Sequence, residues 1–415
     1  VSNETTAASF ASRVEYYVVA GCCWQHLVMI KQLGKRTDTG LLRLLAQDSA
    51  LAGVSEFLTR AFLFGINVLV SQMLADRGEY GVFAAVSWLA ATVFAFTSIG
   101  VATTGVRAIA AARQDGQASG RVLRTVVLMI SALALVAGAA VLAAAPWLVS
   151  VLEAPVPVDS VRLAALLVVL LVVLSGVEAA VRGLGRFRTL AWSAVIAIGV
   201  SLVPAYYLVD AYGVHGGIWA LVLCYGLQAG ILFVALSDQF ASRTLMPWSE
   251  MRRFVGELAV PQWLSGAGFA LGMMVPPMLL LRHSNGLESI GAWNASAQLR
   301  ILVTFLPSVI AAAAVPHLTG LFQAGRLTLR AMGSYLGTVV LVIVLPWIVT
   351  VVLATEMLGL YGPSFRADSH LLIMVVSFTA VQVLGNGCSS ILLAAGRVWA
   401  PAIIQVVWTV LILSV

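Results

Sequence analysis

Residues 160–181 read SVRLAALLVVLLVVLSGVEAAV, an apolar stretch long enough to cross a bilayer as one helix. A spanning helix needs about 20 predominantly apolar residues. Working outward from this stretch, the sequence predicts eleven such helices, at 50–74, 80–104, 125–151, 160–181, 189–209, 214–236, 257–281, 289–316, 331–355, 369–394 and 398–415. The apolar runs are continuous rather than alternating, which favours lipid-facing helices over a membrane β-barrel. The predicted fold class is an all-α polytopic membrane protein.

The composition excludes several classes of protein. Of 415 residues, 60% are hydrophobic and only 10% are charged, with a mean hydropathy of +0.98. A soluble domain is nearer half apolar and a quarter charged, so a water-soluble enzyme and a disordered chain are both excluded. The four cysteines lack disulfide or metal-ligand spacing, and there is no phosphate-binding loop or hydrolase motif. We therefore expect no enzymatic activity, no metal and no cofactor.

The formal charge of +6 is explained by membrane sidedness. If the N-terminus is cytoplasmic, 18 of the 24 lysines and arginines fall in cytoplasmic loops and two lie within helices. The outer loops hold only Arg77, Arg162, Arg282 and Arg366. This bias follows the positive-inside rule. It predicts a multi-pass protein of the cytoplasmic (inner) membrane with a cytoplasmic N-terminus, and it gives no reason to expect a nucleic-acid partner.

An internal repeat divides the chain. The hexapeptide PWLVSV at 146–151 matches PWIVTV at 346–351, and QDG at 114–116 matches QAG at 323–325. Weaker matches join EYGVF at 79–83 to SIGAW at 289–293, and GLGR at 183–186 to AGR at 395–397. Six helices per half place both halves in the same orientation, as in transporters whose two bundles enclose a central path.

The repeat gives the predicted domain boundaries. Residues 1–40 are an atypical N-terminal extension, expected to be disordered, and residues 41–236 form the first lobe of six helices. A polar cytoplasmic linker spans 237–256. The second lobe, 257–415, holds five helices, so we expect two pseudo-symmetric six-helix lobes around a central cavity, the second one lacking its last helix.

Predicted helix 1 carries a polar stripe of Glu56, Arg60, Asn67 and Ser71. Steps of four, seven and four place these residues on one face. A charge at the membrane centre costs about 2.5–3.5 kcal/mol on insertion scales, so the stripe should face a cavity or the bundle interior. Two interpretations stay open: Arg60 binds an anionic substrate, or Glu56 and Arg60 simply pair with each other.

Predicted helix 8 carries Ser296, Arg300 and Thr304 at the same spacing. Arg300 has no acidic residue within one helical turn in the sequence, so its partner must come from a ligand or from another helix. Glu56 and Glu178 are the candidate structural partners. Glu178 also lies four residues before Arg182 near the predicted cytoplasmic end of helix 4, where the two are expected to form a boundary pair rather than a gate.

Two other helices carry candidate functional residues. Predicted helix 10 presents Gln382 and Asn386 on one face, either as substrate contacts or as interhelical hydrogen-bonding groups. Predicted helix 7 is rich in proline and glycine, which predicts a bent helix that acts as a hinge. The candidate hinge residues are Pro261, Gly266, Pro276 and Pro277. The alternative is close helix packing through Gly268 and Gly272.

These features resemble the multidrug/oligosaccharidyl-lipid/polysaccharide exporter superfamily, and within it the polysaccharide (O-antigen type) flippase family. The resemblance covers residues 41–415. It rests on a helix followed by the EYGVF turn at 79–83, then on LYGPSF at 360–365, an apolar helix and LAAGR at 393–397. These motifs are degenerate and identify the superfamily better than the substrate.

The resemblance implies a flippase that exports a lipid-diphosphate-linked oligosaccharide, such as a lipopolysaccharide repeat unit, by alternating access. Arg60 and Arg300, with the neighbouring polar residues, would then bind the substrate. Its partners would be that lipid-linked glycan, membrane lipids, and the polymerase and glycosyltransferases of the same pathway. The alternatives are a cation- or proton-coupled multidrug exporter of the same superfamily, and a non-transporting membrane component of glycan assembly.

Overall fold

A computed structural model describes residues 38–74, 76–112, 116–152, 156–241, 244–281, 286–308, 310, 318, 322, 328–394 and 399–413. Internal contacts divide the chain into Val1–Leu51 and Ala52–Val415. Of the first unit, the described part is helical from Asp38 onward. The predicted extension therefore lies almost entirely outside the described residues, and everything below concerns the second unit. The two predicted lobes within that unit stay a prediction.

The described residues contain helices and no strand. This is expected, because a chain in lipid must satisfy its backbone groups within each segment. In chain order the helices are α1 (Asp38–Met73), α2 (Arg77–Ala112), α3 (Gly116–Leu152), α4 (Val158–Gly183), α5 (Phe187–Ala235), α6 (Trp248–Arg253), α7 (Val260–Leu281), α8 (Gly286–Leu299), α9 (Leu329–Val352), α10 (Ala354–Gly359), α11 (Ser369–Ala394) and α12 (Trp399–Leu413). Two 3₁₀ turns, Ser237–Ala241 and Pro363–Asp368, and a π-helical segment, Phe254–Ala259, join some of them.

The membrane-spanning character of the chain is confirmed. Within the described residues, six helices are long and apolar enough to cross a bilayer, at Arg77–Ser98, Gly120–Ser150, Val158–Gly183, Phe187–Ala235, Leu329–Val352 and Pro363–Leu392. Phe57–Met73 is a shorter apolar helix. Each predicted span overlaps a described helix, although the end of the span at 289–316 lies outside the described residues. The protein is a multi-pass membrane protein.

The long helix α5 contains the two spans that the sequence separates at 209–214. Its 49 residues would extend about 74 Å if straight, more than twice the hydrocarbon thickness. Gly213 has φ 55° and ψ −125°, a non-helical conformation that interrupts the helix. A Cβ added at Gly216 would lie 1.8 Å from the Leu208 carbonyl oxygen, so the chain folds back tightly here. Two consecutive spans thus form a helical hairpin.

Helix α2 lies between elements of both predicted lobes. It packs against α4 of the first lobe and against α7 and α8 of the second. Near its predicted cytoplasmic end, the indole Nε1 of Trp263 in α7 donates a hydrogen bond of 2.6 Å to the Phe96 carbonyl. A Cβ at Gly100 would approach the Ala259 carbonyl to 2.7 Å, so glycine permits this close approach. In the second half of the chain, α11 packs against α8 and α9.

The predicted hinge helix is continuous over Val260–Leu281, and the irregular backbone lies before it, in the π-helical segment Phe254–Ala259. Among the hinge candidates, Gly266 is buried and Pro277 lines a cavity, while the side chains of Pro261 and Pro276 lie outside the described set. The packing interpretation gains a specific contact, since the Thr409 hydroxyl of α12 donates a 2.6 Å hydrogen bond to the Gly268 carbonyl. The hinge role stays a prediction.

An ion pair connects the start of the predicted linker to the first predicted lobe. The Arg186 guanidinium, just before α5, donates hydrogen bonds to the Asp238 carboxylate at 3.0 Å and 3.5 Å. These bonds lower the pKa of Asp238 to about 2. Further along, the Met246 amide donates to the Thr125 hydroxyl at 2.9 Å. The linker is therefore tied to α3 and α5 of the first predicted lobe.

Candidate functional site

Three cavities share one residue, Arg60 of α1. We call the first the arginine cavity, which measures about 300 Å³ and is lined in part by Arg60, Arg300, Thr304, Tyr335, Gln382 and Asn386. The second, the central cavity, measures about 410 Å³ and is lined in part by Arg60, Asn67, Trp88, Trp293, Asn294 and Arg300. The third, the α4 cavity, measures about 510 Å³ and is lined in part by Arg60, Ser98, Thr103, Glu178, Arg182 and Tyr225.

The two intramembrane arginines line the same two cavities. Arg60 belongs to α1 of the first predicted lobe, and Arg300 follows α8 of the second. Both line the arginine cavity and the central cavity, and the two cations act on each other electrostatically. Thr304 also borders both cavities. The structure thus brings together the two charges that the sequence identifies from separate helices.

The other predicted site residues divide between the cavities and the protein interior. Gln382 and Asn386 of α11 line the arginine cavity. Asn67 lines the central cavity and is only 1% exposed. Ser296 is fully buried, donates a 2.9 Å hydrogen bond to the Ala292 carbonyl and lines none of the three cavities. The side chain of Glu56 lies outside the described set.

Burial, and not a change of helix register, separates Ser296 from Arg300. Helix α8 ends at Leu299, and the chain continues as helix over 301–308. The Arg300 amide donates to the Ser296 carbonyl at 3.1 Å and the Thr304 amide to the Arg300 carbonyl at 3.2 Å, so the spacing by four is kept. The short Ser296 side chain is fully buried, whereas the long Arg300 side chain reaches the cavities. A buried serine in a helix commonly bonds the carbonyl of residue i−4, as Ser296 does here.

Tyr335 of α9 is a site residue that the sequence analysis missed. It lines the arginine cavity, it is only 8% exposed, and its hydroxyl oxygen is buried with no hydrogen-bond partner among the described residues. Buried polar groups are normally hydrogen-bonded, so this hydroxyl is a candidate group for binding a ligand. A single tyrosine in an apolar helix does not form a periodic polar stripe, so helical spacing does not identify it. The one available signal is a hydroxyl group within a predicted membrane span.

A hydrogen-bonded cluster borders the central cavity through Asn67 and Asn294, which line it. The Tyr80 hydroxyl of α2 donates to Asn67 Oδ1 at 3.1 Å, and Asn294 Nδ2 of α8 donates to the same oxygen at 2.7 Å and to the Tyr80 hydroxyl at 3.1 Å. Around the fully buried Tyr80 ring, Tyr361 and Phe365 pack with ring centroids 6.0 Å and 5.6 Å away. We call Asn67, Tyr80, Asn294, Tyr361 and Phe365 the Tyr80 cluster.

Hydrogen bonds and an ion pair connect the segment around Tyr361 to α1 and α2. The Ser71 hydroxyl donates to the Tyr361 carbonyl at 3.0 Å, and Gln72 Nε2 donates to the Leu360 carbonyl at 2.8 Å. Arg77 at the start of α2 forms an ion pair with Asp368, and its guanidinium lies 4.8 Å from the centre of the Phe365 ring. Elements of both predicted lobes are therefore joined around the Tyr80 cluster.

Glycines of the sequence motifs permit this packing. A Cβ at Gly81 would lie 2.0 Å from the Leu287 carbonyl oxygen, and one at Gly291 would lie 3.1 Å from the Tyr80 ring. Gly362 has φ 133°, in the region that favours glycine. The EYGVF, SIGAW and LYGPSF motifs, separate in the sequence, thus meet at one contact.

The α4 cavity contains the carboxylate of Glu178. Its Oε2 accepts a 3.0 Å hydrogen bond from Arg182, and its Oε1 accepts one of 3.2 Å from Gln228 of α5. Glu178 and Arg182 therefore form the predicted pair, with α5 as an additional partner. Both carboxylate oxygens are engaged within the first predicted lobe.

Comparisons with known proteins are consistent with this architecture. The family described as polysaccharide biosynthesis protein matches residues 71–364. No curated protein sequence matches the chain. An inward-facing multidrug resistance MATE family transporter of the MOP superfamily is 15% identical, with a TM-score of 0.66 over 87% of this chain and 88% of that chain.

Two further solved structures show the same likeness. A MATE transporter of Vibrio cholerae is 15% identical, with a TM-score of 0.64 over 90% of this chain and 87% of that chain. An outward-facing MATE family transporter is 14% identical, with a TM-score of 0.63 over 89% and 86%. At identities this low, the structural similarity shows the fold alone, which in these neighbours has two lobes. Since the family match covers well over half of the chain, the protein belongs to the polysaccharide biosynthesis protein family.

Proposed function

We propose that this protein translocates a lipid-diphosphate-linked oligosaccharide across the cytoplasmic membrane by alternating access. The observation that carries the proposal is the arginine cavity, where Arg60, Arg300 and the Tyr335 hydroxyl border one space. Arginine presents a planar fork of donors that matches phosphate oxygens, and the buried Tyr335 hydroxyl, which has no hydrogen-bond partner among the described residues, supplies one more donor. A diphosphate is the part of such a lipid that these groups suit.

Electrostatics supports an anionic ligand. Ionisable residues at membrane depth are expensive and mark substrate pathways by default. Arg60 and Arg300 act on each other as like charges, which adds to the cost of keeping both in one cavity. A doubly charged headgroup between them offsets both desolvation and repulsion.

The Tyr80 cluster, which borders the central cavity, supports alternating access. The positive-inside prediction assigns the Tyr80 cluster and the Arg77–Asp368 pair to the outer side of the membrane. In that orientation, a headgroup entering from the cytoplasm would meet the arginines before the cluster. Opening this cluster would then release the glycan outside, to the enzymes that polymerise it.

A cation- or proton-coupled drug exporter needs a carboxylate that can exchange its ion. Glu178 lines the α4 cavity together with Arg60, which is the observation that favours this second candidate. However, Arg182 and Gln228 already bind both of its oxygens. The paired arginines therefore favour the anionic lipid over a cationic drug.

Binding to purified protein in nanodiscs tests the proposal. We expect wild type to bind a polyprenyl diphosphate at least about tenfold more tightly than the matching monophosphate, and Arg300→Ala to lose this preference. Arg330→Ala is the matched control, because Arg330 is exposed at the start of α9 and lines none of the three cavities. Equal binding of both lipids by wild type would contradict the proposal.

A further inference from the structure

The central cavity contains two tryptophans that the transport proposal above does not use. Trp88 of α2 and Trp293 of α8 both line this cavity and are half-buried. The other α2 residues in the lining are small or medium-sized apart from Phe94: Ala84, Ser87, Ala91, Thr92 and Ala95. Trp88 is therefore the largest side chain that α2 contributes to this cavity.

The indole N–H groups of these two tryptophans differ from those with structural roles. Trp263 Nε1 donates to the Phe96 carbonyl at 2.6 Å, and Trp347 Nε1 donates to the Ser377 hydroxyl at 3.1 Å. Across the described part of the chain, no hydrogen bond engages the indole N–H of Trp88 or Trp293. Each indole therefore keeps a donor and an apolar ring that a ligand in this cavity can use.

Polar groups accompany the two rings. The buried Ser87 hydroxyl borders the cavity and lacks a hydrogen-bond partner among the described residues. The side-chain amides of Asn294 and Gln298 also line the space. An apolar lipid chain needs no amides, and a diphosphate needs no indoles. A pyranose ring has both an apolar C–H face and hydroxyl groups at its edge, so this lining suits a sugar.

We propose that Trp88 and Trp293 form a sugar subsite in which the first residues of the glycan stack. This inference rests on the proposed flippase function. Arg60, Arg300 and Thr304 border both the arginine cavity and the central cavity. A diphosphate held by the arginines and the sugars attached to it would therefore occupy contiguous space. The subsite gives the protein a preference for the glycosylated lipid over its sugar-free carrier.

The test compares two ligands on full-length protein in nanodiscs: a polyprenyl diphosphate, and the same lipid carrying a trisaccharide. Trp88→Leu and Trp293→Leu keep apolar bulk but remove the indole. We expect each to weaken binding of the trisaccharide lipid about tenfold and to change binding of the sugar-free lipid by less than about twofold. Trp88→Phe and Trp293→Phe, which keep an aromatic face, should recover part of the loss. The control Trp192→Leu alters a ring that is 61% exposed on α5 and should change neither affinity.

Several outcomes would overturn the sugar subsite. Equal losses for both ligands would assign the tryptophans a packing role, and no loss for either would remove them from the site. A wild type that binds the two lipids equally would also overturn it, while leaving the arginine cavity intact. The flippase proposal fails separately, in the comparison of the sugar-free diphosphate with the monophosphate, and the subsite would fall with it.

Discussion

Asn294 Nδ2 donates hydrogen bonds to Asn67 Oδ1 at 2.7 Å and to the Tyr80 hydroxyl at 3.1 Å, so one amide connects α8 to both α1 and α2. Asn67 in turn donates from its own Nδ2 to the Leu63 carbonyl at 2.8 Å. Satisfied buried networks of this kind hold their elements in one arrangement. In the proposed transport cycle, the cavity opens at this cluster by breaking these bonds and separating the surrounding aromatic rings.

Asn294→Leu should therefore favour the conformation that is open at this cluster. An interhelical hydrogen bond in membranes contributes roughly 0.6–1.7 kcal/mol, so removing two should raise the open population about tenfold. The measurement is labelling of Thr304→Cys by a membrane-impermeant maleimide added outside, after replacement of the four native cysteines. Gln239→Leu, a change in the linker at a residue that lines none of the three cavities, should leave labelling at the wild-type rate. Unchanged labelling in Asn294→Leu would contradict the closing role.

Gly81→Ala should destabilise the protein because the new Cβ would lie 2.0 Å from the Leu287 carbonyl oxygen. Overpacking typically costs about 1–3 kcal/mol, which should lower the midpoint of thermal unfolding in detergent by several degrees. Gly65→Ala is the matched control, since nothing lies within 4 Å of the added atom. Helix propensity predicts that this control is as stable as wild type or more so. Equal midpoints for the two variants would show that α2 and α8 do not pack closely here.

Arg60→Lys keeps the positive charge but loses the bidentate fork. If Arg60 binds a diphosphate, we expect affinity for the sugar-free lipid to fall at least about fivefold, with the preference over the monophosphate reduced. Titration calorimetry on the purified variant measures this. Wild-type affinity in Arg60→Lys would mean that charge alone matters at this position.

Tyr335→Phe separates ligand binding from stability. The hydroxyl is buried and has no hydrogen-bond partner in the described part of the chain, an arrangement that costs roughly 1–3 kcal/mol. Its removal should therefore raise the unfolding midpoint of the ligand-free protein. The same change should weaken binding of the lipid diphosphate about tenfold, because a hydrogen bond to a charged group is lost. If the variant gains stability and keeps full affinity for the lipid diphosphate, the Tyr335 hydroxyl does not bind the ligand.

The sequence predicts the helices well because spanning segments follow from local composition. The polar face of α1 also follows from spacing, and Arg60 and Asn67 indeed line the central cavity together. The partners of Asn67 do not follow, since Tyr80 and Asn294 come from other helices and their approach depends on packing at Gly81 and Gly291. Interhelical contacts of this kind have no signature within one helix.

Side-chain burial also limits prediction from spacing. Ser296, Arg300 and Thr304 keep the backbone hydrogen bonds of one helical face, yet only Arg300 and Thr304 line the cavities, because Ser296 is fully buried. Likewise, glycines in α7 predict either a hinge or packing with equal force. The bond from Thr409 to the Gly268 carbonyl, which supports packing, comes from α12, far away in the sequence.

Transport by reconstituted protein tests the central claim most directly. Proteoliposomes would contain a fluorescent polyprenyl-diphosphate-linked oligosaccharide, and its arrival in the opposite leaflet would be followed by a membrane-impermeant quencher. We expect wild type and Arg330→Ala to translocate the lipid, and Arg300→Ala to be at least about tenfold slower while inserting normally, since loss of one charged contact contributes about 1.5–3 kcal/mol. Translocation by Arg300→Ala at the wild-type rate, or none by wild type, would contradict the account.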